Sequence, residues 1–128
     1  MILIDTSAWV EFLRDTGSGV CARVDAELAG DISVCDAIRM EVLAGARGES
    51  HLEALQGLLA RASVLPTEPA HYDDAARLYR RCRREGETVR RLIDCLIAAV
   101  AIGAGAAVLH HDDDFDVLAR HTELEIVR

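Results

Sequence analysis

The sequence predicts an α/β chain, a three-layer α/β/α sandwich built on a mostly parallel central sheet. Three observations lead there. Short β-type runs alternate with helical periodicities along the 128 residues, the pattern left by crossover connections between parallel strands. Apolar residues make up 51% of the chain and aromatics only 4%, so the core is aliphatic, carried by Ala, Leu, Val and Ile that suit helices packed on a small sheet. No linker, repeat or low-complexity stretch breaks the pattern, so residues 1–128 read as one domain, long enough to bury a core without disulfide staples.

Each element has a local reason. Residues 1–5 form a β-type run, and Thr6-Ser7 offer cap oxygens ahead of the helical spacing Ala8, Trp9, Phe12, Leu13. After the loop at 17–19 a helix is expected over 20–29, ended by Gly30-Asp31 before the strand-like Ile32 and Val34. Asp36 is placed to cap a third helix through Met40, Val42 and Leu43 to Gly45. Residues 50–59 put Leu52, Leu55, Leu58 and Leu59 on one side of a helix, and 62–65 form a short strand stopped by Pro66. Pro69 suits the first turn of a helix running to Arg84, on which Tyr72, Ala75, Ala76 and Tyr79 are helically spaced. Gly86 interrupts that pattern and 89–102 resume it; a strand over 106–109, a helix over 113–120 and a strand over 124–127 complete the order.

Composition excludes several functions. Fourteen basic residues against 22 acidic ones give a net charge of −8, which opposes binding by bulk attraction to phosphates. Every basic residue is Arg, so P-loop phosphate transfer and Schiff-base chemistry are ruled out for want of a lysine. Cys21, Cys35, Cys82 and Cys95 lie far apart without a CxxC pair and read as buried free thiols of a reducing compartment rather than a zinc site. The amino terminus lacks the basic and long apolar regions of a secretory leader, so the cytoplasm is expected. The uncharged run 95–109 is too short and too rich in Ala and Gly for a membrane span; it reads as a buried helix, a turn and a buried strand.

The acids fall where an open parallel sheet binds ligands, beyond the carboxyl ends of its strands. Asp5 follows the first strand, Asp36 and Glu41 follow the second, and Asp112, Asp113 and Asp114 follow Val108-Leu109. Asp94 sits inside Leu92-Ile93-Asp94-Cys95-Leu96-Ile97, at the start of an otherwise apolar helix. Taken singly, Asp5 can serve as a helix cap, Glu41 as a surface ion-pair partner and the 112–114 run as complement to a helix dipole. Asp94 resists such a reading, because a carboxylate among apolar residues loses several kcal/mol (roughly) of solvation unless something compensates. Carboxylates converging in one crevice repel unless a divalent cation neutralises them, and oxygen-only ligands favour Mg²⁺ or Mn²⁺. His110 and His111 beside Asp112 suggest a transition-metal site at first sight, but adjacent residues at a strand end point apart. Two such cations about 3.5–4 Å apart activate water and stabilise the leaving oxygen in phosphodiester hydrolysis, so a metal-dependent nuclease is expected.

Asp5-Thr6-Ser7-Ala8-Trp9, Glu41-Val42-Leu43-Ala44-Gly45, Asp94-Cys95-Leu96-Ile97-Ala98-Ala99 and Leu109-His110-His111-Asp112-Asp113-Asp114-Phe115 together resemble, in order and spacing, the four motifs of PIN-domain ribonucleases, most closely VapC toxins of toxin–antitoxin pairs. The resemblance spans essentially the whole chain and implies a PIN-like fold. It implies Asp5, Glu41, Asp94 and Asp112 as the catalytic acids, Asp5, Asp94, Asp112 and Asp114 as metal ligands, and Ser7 with Thr6 as supporting residues. In this assignment Glu41 orients or deprotonates the attacking water. One or two Mg²⁺ or Mn²⁺ ions, an RNA substrate, a VapB-type antitoxin, a homodimer and a toxin–antitoxin hetero-oligomer follow from the same resemblance, with no membrane association. Arg91 departs from the family pattern, which often has Ser or Thr three residues before the third acid.

Residues 77–91 hold seven arginines against Glu85 and Glu87, a local net charge of +5. This stretch leads into the helix bearing Asp94, and Arg83, Arg84, Arg90 and Arg91 are the candidate RNA contacts; a solvated face of surface ion pairs explains Arg77 to Arg84 equally well. Two other readings compete. A receiver-like Mg²⁺-binding signalling domain needs an adjacent acidic pair near the first strand, where Asp5 stands unpaired, and a lysine, which the chain lacks. A catalytically inactive PIN-like binding subunit is disfavoured by the presence of all four acids, and a haloacid-dehalogenase-type phosphatase by Ser7 standing where a second Asp is needed.

Overall fold

The computed structural model describes residues 1–127. The elements follow as β1 Ile2–Ile4, α1 Thr6–Leu13, α2 Gly19–Glu27, β2 Ile32–Cys35, α3 Asp36–Ala44, α4 Glu49–Leu59, β3 Ser63–Leu65, α5 Pro69–Arg84, α6 Leu92–Ala104, β4 Ala107–Leu109 and α7 Asp113–His121. All four strands are parallel, in the order β3-β2-β1-β4, with Ile2 opposite Ile32 on one side of β1 and Ile4 opposite Leu109 on the other. Consecutive residues of the inner strands, Leu3 with Ile4 and Ile32 through Cys35, are all buried. Such strands are covered on both faces, which is the expected α/β/α sandwich. The chain reverses direction across the sheet at β1, since β2 lies to one side of it and β4 to the other. That reversal opens a crevice at the carboxyl ends of β1 and β4.

The helices begin and end for visible reasons. Ser18 caps α2 by accepting the Cys21 N–H at 3.0 Å. Pro69 opens α5, whose last turn carries Arg81, Arg83 and Arg84 at the negative end of the helix dipole. α6 is apolar nearly all round, with Cys95 and Ile97 to Ala101 buried, and ends at Gly105 in the left-handed region at φ 68°. Trp9 and Phe115 are the largest fully buried side chains. No helix among the described residues is long and apolar enough to cross a membrane.

Four sequence expectations need correction. Of the two caps expected for α1, Asp5 serves and Thr6-Ser7 do not: the Asp5 Oδ2 accepts the Ser7 N–H at 2.9 Å. Asp36 lies within the first turn of α3 and Cys35 is the cap residue. α6 starts at Leu92 instead of residue 89, because Asp114 holds the N–H groups of Arg90 and Arg91 and keeps Arg91 extended. The strand expected at 124–127 is reduced to one bridge, Ile126 beside Val108. All four cysteines are free and buried, as expected, and burial pushes the Cys95 thiol up to about 12, so it stays protonated.

Candidate active site

Pairing of β1 with β4 sets the floor of the crevice. The Asp5 N–H donates to the Leu109 carbonyl at 2.9 Å, so the residues that leave both strands emerge side by side. Asp5 is 4% exposed. Its Oδ2 takes the Ser7 N–H at 2.9 Å and the Ser7 hydroxyl at 2.6 Å, while its Oδ1 is buried with no partner among the described residues. Burial raises its pKa, the two Ser7 bonds pull it down and the Glu41 charge raises it further. The net shift is upward. Ser7 works in both directions, since its Oγ also accepts the His111 N–H at 2.9 Å and thereby ties the loop after β4 to the start of α1.

Asp94 projects from the first turn of α6 and is 2% exposed. Its pKa is pushed up to about 8, first by burial, then by a hydrogen bond shared with Asp114 and by the charges of Asp5 and Asp112, with Arg91 opposing. At neutral pH it keeps its proton and donates it to Asp114, and its Oδ2 is left without a partner among the described residues. Asp112 caps α7, its Oδ1 accepting the Asp114 N–H at 2.9 Å and Arg90 Nη2 at 2.8 Å. Asp114 takes the Arg90 N–H on Oδ1 and the Arg91 N–H on Oδ2, each at 3.0 Å, with Arg90 Nε at 3.3 Å. Burial alone would raise its pKa, but these bonds and the one from Asp94 outweigh it and bring it down.

Glu41 reaches in from α3. The Thr6 hydroxyl donates to its Oε1 at 2.9 Å, and Arg91 Nη2 pairs with its Oε2. The structure thus gathers Asp94, Asp112 and Asp114 most tightly, one ligand oxygen from each lying within 4.8 Å of the others. Asp5 stands outside that triad but close enough for its charge to act on Asp94, and the charge of Glu41 acts in turn on Asp5. The donor set fits a divalent cation. It is all oxygen, it is mostly buried, and it leaves the Oδ1 of Asp5 and the Oδ2 of Asp94 without partners among the described residues. An acidic cluster of this kind at a sheet's switch point is the arrangement of a metal-dependent nuclease.

The remaining candidates separate. Arg90 and Arg91 lie on the acids, whereas Arg83 and Arg84 are exposed near the end of α5, with Arg83 over the Tyr79 ring at 5.4 Å. Arg77 and Arg81 are engaged with Asp74 and Glu123. The two histidines diverge as expected. His110 turns inward against Phe115 and accepts the Asp112 N–H at 3.2 Å on Nδ1, whereas exposed His111 has its Nε2 3.7 Å from Glu11. Sequence reasoning missed the clamp that Asp114 places on residues 90–91 and the pairing of Arg91 with Glu41. The available signal was a pair of arginines directly before a helix that carries a buried acid.

Comparison with known proteins agrees with this geometry. The PIN domain family model matches residues 2–121. VapC ribonuclease Mb1587 of Mycobacterium bovis and ribonuclease VapC11 of Mycobacterium tuberculosis are each 47% identical, covering 98% of this chain and 96% of their own. Among solved structures, FitAcB from Neisseria gonorrhoeae superimposes with a TM-score of 0.78 at 21% identity over 100% of this chain and 97% of its own. VapBC-5 from Mycobacterium tuberculosis gives 0.66 at 26% identity over 98% and 96%. These matches leave the receiver-like reading without support. The chain belongs to the PIN-domain family, as a VapC-type toxin of the VapBC toxin–antitoxin systems.

Proposed function

We propose that residues 1–128 act as one PIN domain, an endoribonuclease toxin that hydrolyses RNA phosphodiester bonds with Mg²⁺ or Mn²⁺, one or two ions, as cofactor. The observation that carries this reading is the triad of Asp94, Asp112 and Asp114 oxygens within 4.8 Å, flanked by the unpartnered oxygens of Asp5 and Asp94. Asp5, Asp94, Asp112 and Asp114 would hold the cation, which supplies Lewis acidity toward the phosphate and lowers the pKa of the attacking water. Glu41 orients that water or takes its proton, held in place by Thr6 and Arg91. Ser7 fixes the Asp5 carboxylate through its hydroxyl.

Arg83, Arg84, Arg90 and Arg91 offer guanidinium groups for the RNA backbone, a local basic track on an acidic protein. Relatives named as ribonucleases support the choice of RNA, and solved neighbours described as VapBC and FitAB assemblies support a VapB-type antitoxin, a homodimer and a toxin–antitoxin hetero-oligomer. A cytoplasmic site of action fits both RNA as substrate and four unpaired thiols.

Labelled tRNA, rRNA and mRNA incubated with the protein test the reading. Cleavage should require Mg²⁺ or Mn²⁺, stop with EDTA and disappear in Asp5→Asn and Asp94→Asn. Activity that survives EDTA or either substitution overturns it.

A further inference from the structure

Arg90 stands apart from the other arginines because its side chain sits on the carboxylates that a cation needs. Nη2 lies 2.8 Å from Asp112 Oδ1 and Nε lies 3.3 Å from Asp114 Oδ1. The guanidinium side chain is 68% exposed while the two carboxylate side chains are 13% and 2% exposed. It therefore forms the solvent side of the buried cluster.

We infer that Arg90 is an exchangeable counter-cation, seated on Asp112 and Asp114 while no divalent ion is bound, released when one binds, and then available to a phosphate of the RNA. This rests on the proposed nuclease reading for the identity of the cation and the substrate. Two features make the exchange possible. The Arg90 backbone is anchored separately, through its own N–H to Asp114 Oδ1 at 3.0 Å and through the Arg91 N–H to Oδ2, so the side chain can leave without the loop moving. A guanidinium fork matches a phosphate as well as it matches a carboxylate. The driving force is repulsion, because a divalent ion among these oxygens places two positive charges beside a third. Arg91 is different, since it pairs with Glu41 outside the triad and keeps its seat.

The exchange has a readout that does not depend on catalysis. In ¹⁵N-labelled protein the Arg90 Nε–H, protected by Asp114 in the cation-free state, should lose protection as Mg²⁺ saturates the site. By calorimetry Arg90→Gln should bind Mn²⁺ about fivefold or more tightly than wild type, because no guanidinium has to be displaced. The same variant should bind a fluorescent single-stranded RNA, with Ca²⁺ as the cation, about fivefold or more weakly. An Arg90 Nε–H signal unchanged at saturating Mg²⁺ overturns the inference, as does a folded Arg90→Gln with equal or weaker Mn²⁺ affinity or unchanged RNA affinity. The spectroscopic measurement uses the wild-type chain, so it decides the matter even if the variant does not fold. Failure of the nuclease reading is distinct from these outcomes: it is a wild-type protein that binds Mg²⁺ and cleaves no RNA.

Discussion

The Asp114 carboxylate accepts the backbone N–H of Arg91 at 3.0 Å, so the first turn of α7 satisfies an amide at the start of α6. With the Arg90 N–H on its other oxygen, this buried aspartate is a structural clamp as well as a candidate ligand. Asp114→Ala strands two amides and is expected to destabilise the fold by about 2–4 kcal/mol, whereas Asp114→Asn, which keeps one acceptor, should cost about half as much. Urea denaturation followed by circular dichroism measures both.

Asp94 should behave in the opposite sense. Its carboxyl is buried, protonated at neutral pH and surrounded by other acids, so Asp94→Asn removes an unfavourable ionisation and keeps the shape. At pH 8.5 the variant is expected to match or exceed wild-type stability by about 1 kcal/mol, while its affinity for Mn²⁺ falls by about tenfold or more. Thermal denaturation and calorimetry at the same pH read the two effects separately; a destabilised variant with normal cation affinity contradicts the assignment.

The same residue makes cation binding pH-dependent. Between its ordinary value of 3.8 and its folded value of about 8, Asp94 holds a proton that the unfolded chain has released. Cation-free stability from this group therefore declines as pH rises through that window and is gone above pH 8 or so. A cation must expel the proton, so affinity should climb with pH by up to about tenfold per unit and level off above the folded pKa. Titrations at pH 6.5 in two buffers of different ionisation enthalpy should show proton release, and identical heats would count against it.

Ser7 joins Asp5 to the loop after β4 through bonds of 2.6 and 2.9 Å. Removing the hydroxyl in Ser7→Ala is expected to cost about 1–2 kcal/mol of stability and to lower Mg²⁺ affinity about 10–100-fold. A variant that loses stability but binds Mg²⁺ normally would confine Ser7 to the fold.

Away from the crevice, Glu87 receives Arg120 through two bonds, at 3.0 and 2.6 Å, and meets His121 at 2.8 Å. The Arg120 bonds, followed by the His121 bond, hold its pKa at about 2 against an ordinary 4.5. This contribution is present above the ordinary value and is lost as pH falls through that window. The acid limb of a melting-temperature profile should accordingly be shallower in Glu87→Gln than in wild type.

The sequence made the layers, the strand order of appearance and most helix bounds legible, because each depends on local periodicity and punctuation; α5 runs from Pro69 to Arg84 as its composition implies. The acids after strands were legible for a topological reason, since a parallel sheet carries the ends of β1 and β4 to one place. What local reasoning could not supply was partner choice across long separations. Nothing in the vicinity of Arg91 announces Glu41, fifty positions earlier, and nothing near Asp114 announces the amides of residues 90–91. Those pairings depend on how α3, α6 and α7 converge. They also account for the late start of α6, which residue spacing alone placed three positions too early.

The adjacency of β1 and β4 has a consequence for how the protein is made. Asp5 is synthesised early, but its neighbours in the crevice, Asp112 and Asp114, emerge more than a hundred residues later, and β4 cannot pair with β1 before then. A ribosome-bound chain that has already folded β1 to β3 carries Asp5 and Glu41 but none of the triad of Asp94, Asp112 and Asp114. The topology therefore delays assembly of the charged cluster until β4 and α7 have been made, an order of events that leaves the nascent chain without a complete site while those elements are still to come.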